Sequence, residues 1–295
     1  MEAVTAELSR LRAEYHATIL DSIVRIFPGG ILGNGYPNFA DENNKTSVKI
    51  AWCIFNLLHS KSESVTSMVP RQTVEDKFET TTRVFLQSSF DLLTHIRPGR
   101  WRYETSRSIA SFDQYQHLAY LTKALNHDKV LKTMLGANSD YIVAPDIVVS
   151  RLPITDEEIN QNTVVLDDNQ SIAANTRLRI QNNPDRPLLH ASISCKWTIR
   201  SDRTQNTRTE ALNLIRNRKG NLPHIVAVTA EPLPTRIAAI ALGTGDLDCV
   251  YHFALPELRQ SLIDLENEDQ LDMLDLMVGG MRLRDISDLP FDLAV

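Results

Sequence analysis

Residues 188–199 read LLHASISCKWTI, and the alternation runs unbroken. Leu189, Ala191, Ile193, Cys195, Trp197 and Ile199 fall on one face; His190, Ser192, Ser194, Lys196 and Thr198 fall on the other. Successive side chains of a strand point to opposite sides, so the pattern predicts a strand with one buried face. Residues 141–150 (YIVAPDIVVS) read as an apolar strand carrying one acid, and 224–230 and 248–254 as further strands. A helix over 207–218, closed by Gly220 with Pro223 beyond, lies between the long strand and residue 224.

Upstream the periodicity is helical. Residues 3–26 end at Pro28-Gly29-Gly30, and 29–44 form a Gly/Asn/Pro-rich loop. Helices follow over 46–59, over 73–96 with Phe78, Phe85 and Leu92 one heptad apart, and over 111–135. The third stops before Arg97-Pro98-Gly99. Helices followed by strands with one interposed helix predict an α/β sheet flanked by helices. The expected organisation is a single domain over 1–295, with a helical half to about 138 and a catalytic sheet from about 139. The polar stretch 155–187 reads as an insertion between two strands.

Of the 295 residues 42% are hydrophobic and 23% charged, which excludes a disordered chain and suffices for a large core. No apolar run is long enough to span a bilayer, and the charged amphipathic start is unlike a signal peptide. Cys53, Cys195 and Cys249 are scattered, which disfavours a disulfide framework or zinc ribbon and fits a reducing, cytoplasmic location. The net charge of −6 argues against a nucleic-acid partner, yet it is unevenly placed. Between Lys196 and Lys219 seven Lys/Arg face only Asp202 and Glu210, whereas from Asp246 onward twelve acids face three arginines. A local basic face is enough to bind phosphate.

Phosphodiester hydrolysis needs a cation to offset charge at the phosphate and to sharpen a water into a nucleophile. Mg²⁺ takes hard oxygen ligands, and a nearby lysine can orient the water or stabilise the developing charge. An acid on one strand and a lysine on its neighbour supply both. Here these are Asp146, after Pro145, and Lys196 on the polar face of the next long strand. Cys195 points the other way, so only its backbone carbonyl is available to a metal. The position two before the lysine, where such pairs carry a second acid, is Ser194. Glu210, fourteen residues after Lys196, and Glu79 on the third helix are the candidate replacements. Each residue has a duller reading. Pro-Asp is a bend with a solvated acid, Lys196 a solvated strand lysine, and Glu79 an exposed helix carboxylate. Thr207-x-x-Glu210 is a capping box. Gly243-Thr244-Gly245 lacks the GK[ST] of a phosphate loop and reads as a turn. No Cys/His set has zinc spacing, and no GxSxG elbow occurs.

The run SISCKWTIRSDR (192–203), with Glu210 behind it and Pro145-Asp146 ahead, resembles the CCGG-recognising branch of the PD-(D/E)XK type II restriction endonucleases. The likeness continues through LLHS (57–60), HIRPG (95–99), EALNLIRNRKG (210–220), LPHIVAVTAEP (222–232), IALGTG (240–245) and DISDLPFDLAV (285–295). It covers nearly everything beyond about Asp41. The Asp146-to-Lys196 interval is slightly longer than in the relatives, which extra residues in 155–187 account for. The resemblance implies a restriction-endonuclease-like central mixed β-sheet flanked by α-helices. It implies that Asp146 is the central ligand bridging two Mg²⁺ ions and that the Cys195 carbonyl is a second ligand. Lys196 would position the attacking water, Glu210 replace the missing acid that Ser194 vacates, and Glu79 contact metal-bound water. Arginine pairs bidentately with guanine O6 and N7, and aspartate accepts from cytosine N4. Arg200, Ser201, Asp202 and Arg203 are thus expected to read the CCGG core. By the same resemblance Arg236 reads the outer guanine, Asp41 the outer cytosine, and Gln72 the minor groove. The implied target is GCCGGC in double-stranded DNA, cut after the first G to leave a four-base 5′ overhang. A palindrome implies a two-fold assembly, and the relatives imply a homotetramer holding two sites. A charged turn at RSDR, a repair or recombination nuclease of the same fold, and a non-catalytic DNA-binding protein are the alternatives.

Overall fold

The computed structural model describes residues 5–58, 71–127, 143–167, 176–184, 186–199, 201–243 and 245–295, with the backbone alone for 71–72, 121–122, 124–127 and 201–205. The first half is helical as expected, in α1 (Glu7–Ser22), α2 (Lys45–Leu58), α3 (Arg71–Asp91) and α4 (Gln116–His127). Asn44 caps α2, its side chain accepting from the Ser47 amide at 3.0 Å. Ser47 Oγ in turn accepts from the Asp41 amide at 2.9 Å, so the cap also fixes Asp41. The loop before α2 is not wholly irregular. It contains a two-residue antiparallel pair, β1 (Ile26–Phe27) with β2 (Tyr36–Pro37).

Six strands form the central sheet: β3 (Trp101–Thr105), β4 (Ile147–Arg151), β5 (Leu188–Lys196), β6 (His224–Thr229), β7 (Cys249–His252) and β8 (Leu283–Asp285), neighbouring one another in that order. β3, β4 and β5 pair antiparallel, and β5 to β8 pair parallel, so the sheet is mixed. β3 comes from the helical half, so both halves of the chain build one sheet. Around it lie α5 (Asp156–Ile159), α6 (Ser201–Asn217), α7 (Pro234–Ala241), α8 (Leu255–Asp264), α9 (Glu268–Gly279) and α10 (Leu289–Ala294). Among the described residues no helix is long and apolar enough to cross a membrane.

The long strand departs from its pattern in two ways. It is covered on both faces: Ser192 is 5% and Ser194 9% exposed, because β5 is interior to the sheet and helices close over both sides. Its alternation is also broken. The register against β4 shifts between Val149 and Ser150, leaving His190 as the extra residue. His190 packs on Phe90 of α3 at 6.2 Å, and Trp197, of opposite parity, packs on Phe78 of the same helix at 5.1 Å. Trp197 also meets Phe39 and Phe253, so the end of β5 is wedged in an aromatic cluster.

The described part of 155–187 is tied down. Asp156, on the capped turn α5, forms a buried ion pair with Arg179. The helix expected at 207 begins at Ser201, six residues earlier, so Thr207 lies inside it and is no cap.

Arg12 of α1 holds two acids at once, Asp285 at the end of β8 and Glu257 on α8, through four hydrogen bonds of 2.7–3.0 Å. Burial raises both carboxyls, but Arg12 outweighs it and holds each below its ordinary range. Depressed carboxyls add stability that is complete above their unfolded values, about pH 4, and that disappears as pH falls through the lower folded values. Arg12→Met is therefore expected to lose about 3 kcal/mol at pH 7 by urea unfolding. It should also lose part of the wild-type stability decline below pH 4. An unchanged pH 7 midpoint would show that the triad does not hold α1 to the sheet.

Candidate active site

Pro145 has no amide hydrogen to give a ladder, and β4 begins two residues later, at Ile147. Asp146 therefore stands at the head of β4, its carbonyl accepting from the Ser106 amide at 3.2 Å just past β3. Its side chain turns toward the end of β5. Asp146 Oδ2 accepts from the Cys195 amide at 2.7 Å and from Lys196 Nζ at 3.1 Å, and Ser194 Oγ lies 3.5 Å from it. Three consecutive residues of one strand thus converge on one carboxylate oxygen.

Alternate residues of a strand aim their backbone groups at opposite neighbours. Lys196 directs its carbonyl to β6, where the Ala230 amide donates to it at 3.3 Å. Cys195 aims its amide at Asp146, so its carbonyl faces that side as well. The Cys195 thiol is buried on the other face, and burial, ahead of the Asp146 charge, pushes it well above its ordinary range.

Two further acids share the site. Glu79 follows Phe78, whose ring is seated on Trp197, and this sets the turn of α3. Burial, then the charge of Asp146, pushes its carboxyl up to about 7, against a lowering by Lys196. Glu210 on α6 is raised by burial, with Lys196 lowering it and Asp146 raising it. Burial alone would lower the Lys196 ammonium; Asp146 and then Glu210 outweigh that and hold it above its ordinary range. Among the described residues one ammonium thus serves three carboxyl groups, and their surplus of oxygen ligands is what a hard divalent cation would occupy. Among the described residues no three His, Cys, Asp or Glu side chains form a ready-made cage. The donor set fits a cation that keeps several waters and takes one or two carboxylates, as Mg²⁺ does, better than one enclosed by protein ligands.

The residues expected to read bases divide in three. Arg200 lies outside the described residues. The backbone of Ser201, Asp202 and Arg203 forms the first turn of α6, so this segment is a helix start and not a free turn. Gln72 is likewise placed by backbone alone, in the first turn of α3. Asp41 and Arg236, 195 residues apart, meet as an ion pair beside α2 and α7. One residue escaped the reading of the sequence. Glu231, after β6, is 1% exposed, and its carboxylate accepts from the Ile199 amide at 2.9 Å and the Leu233 amide at 3.2 Å. An acid closing the apolar run HIVAVTA is the signal that marks it.

The sheet is thus mixed and flanked by helices, with an acid heading one strand and a lysine closing its neighbour. The family described as NgoMIV restriction enzyme matches residues 15–295. The type II restriction enzyme NgoMIV of Neisseria gonorrhoeae is 51% identical over 290 residues, covering 96% of this chain and 97% of its own. Among solved structures, the type IIF restriction endonuclease Bse634I with cognate DNA aligns over 90% of this chain and 92% of that one, at TM-score 0.35 and 11% identity. The restriction endonuclease PspGI–substrate DNA complex aligns over 85% and 92%, at TM-score 0.30 and 16% identity. The chain belongs to the NgoMIV restriction enzyme family, whose members are type II restriction enzymes, site-specific deoxyribonucleases.

Proposed function

We propose that this enzyme hydrolyses double-stranded DNA with Mg²⁺ at GCCGGC, cutting after the first G to leave a four-base 5′ overhang. The observation that carries the reading is the Asp146 carboxylate held by the Cys195 amide and Lys196 at the meeting of two strands, in a chain of this family. Asp146 and the Cys195 carbonyl would hold the metal. Bound there, the cation supplies charge neutralisation at the phosphate and acidifies water. Lys196 orients the attacking water and stabilises charge as it develops on the phosphate. Glu210 would take the place that Ser194 leaves without a carboxyl, and Glu79 would contact water held by the metal. Glu79, its carboxyl pushed up to about 7, is the acid able to exchange a proton near neutral pH.

Recognition is assigned to Arg200, Ser201, Asp202 and Arg203 at the CCGG core, to Arg236 with Asp41 at the outer pair, and to Gln72 in the minor groove. The first turn of α6 is joined to Lys196 by only four residues, which couples reading to cutting. The three cysteines are free thiols, which suits work in a reducing cytoplasm. The assembly is read as a homotetramer with two DNA sites.

Sequencing the ends cut from random duplex DNA should return GCCGGC. Asp146→Ala should lower the cleavage rate by at least about 10³-fold while leaving binding in Ca²⁺ within a few fold. Cuts without fixed sequence would favour a repair-type nuclease, and full activity of the variant would overturn the site. For the tetramer, a plasmid with two sites should be cut faster than one with a single site. Equal rates together with a dimer by light scattering would contradict it.

A further inference from the structure

Glu231 is nearly fully buried, yet it sits outside the catalytic cluster. Burying a carboxylate is costly unless hydrogen bonds hold it. This one spans two elements. Oε2 accepts from the amide of Ile199, three residues past Lys196 and one before Arg200, and Oε1 accepts from the amide of Leu233. Leu233 is the N-cap residue of α7, and its carbonyl accepts from the Arg236 amide at 2.9 Å. Arg236 also places Nη1 3.9 Å from Glu231 Oε1 while another nitrogen engages Asp41. The Glu231 amide donates to Thr229 Oγ1 at 3.1 Å, which fixes the turn out of β6. A helix cap alone needs only the Leu233 bond. The second oxygen is spent on the far side, at the end of the catalytic strand.

We propose that Glu231 is a positioning residue for base recognition: it locks the backbone at the head of the Arg200–Arg203 segment to the start of the helix carrying Arg236. Contacts to the central and the outer base pairs then form as one unit. The inference rests on the base-reading roles proposed above for those residues.

The test is Glu231→Gln, which keeps the shape but replaces one acceptor oxygen with a donor. The site is first mapped with wild-type enzyme on random duplexes. The kcat/KM is then compared between that site and duplexes altered only in the outer pair. The variant should lower this discrimination about tenfold or more, since one well-made base contact carries roughly that factor. A merely structural role would slow every duplex equally and leave the ratio unchanged, and that result would overturn the inference. A wild-type enzyme cutting at no fixed sequence would overturn the proposed function with it, so the two failures are distinguishable. If the variant does not fold, amide hydrogen exchange on wild-type enzyme bound to duplex in Ca²⁺ decides the matter. Changing the outer pair should speed exchange at Ile199 as well as at Leu233; a response confined to Leu233 would contradict the coupling.

Discussion

The carboxylate of Asp146 is the point on which the site depends. Its Oδ2 is gripped by a strand amide and a lysine ammonium belonging to adjacent residues of β5, at 2.7 and 3.1 Å. Such a grip requires β4 and β5 in register and the end of β5 immobile. The antiparallel ladder supplies the first, with Ile147 opposite Ile193. The aromatic packing of Trp197 on Phe39, Phe78 and Phe253 supplies the second. The same packing sets α3 and so brings Glu79 to the acid cluster. The geometry of the candidate site and core packing are here one constraint, because residues of alternating parity on a single strand serve each.

That cluster is electrostatically unfinished. Among the described residues Asp146, Glu79 and Glu210 face one ammonium, and both glutamates are held above the ordinary carboxylate range, first by burial and then with Asp146 raising each. A fold keeps like charges together at a cost in stability when function needs them. In an enzyme of this family, a bound divalent ion would supply the missing positive charge. The residues proposed to read bases are placed by a separate network. Glu231 ties Ile199 to Leu233, and Asp41 is set by Ser47 and meets Arg236.

Much of this was legible in the sequence because local patterns carried it. Period-two alternation gave β5, and residue type placed Asp146 and Lys196 on neighbouring strands. What escaped was decided by distant partners. The edge strand Leu283–Asp285, three residues long, is too brief for a period to show. The bulge at His190 exists only relative to β4. The polar face of β5 is buried because helices cover it, which alternation within the strand cannot reveal. Thr207-x-x-Glu210 looked like a helix start because its chemistry is that of a cap. Yet Ser201-Asp202 carries the same chemistry upstream, and the helix begins there. The Asp41–Arg236 pair joins residues 195 apart and leaves no local trace. The roles of the site residues came from the family resemblance, whereas the placement of Asp146 against Lys196 is a matter of geometry.

The most direct measurement is an anomalous-scattering map of crystals of the enzyme with its duplex and Mn²⁺ in place of Mg²⁺. The account predicts a metal peak about 2.1–2.2 Å from an Asp146 oxygen and from the Cys195 carbonyl, with Lys196 displaced from the carboxylate toward the scissile phosphate. A metal bound elsewhere, with Asp146 still paired to Lys196 and the Cys195 amide, would contradict it.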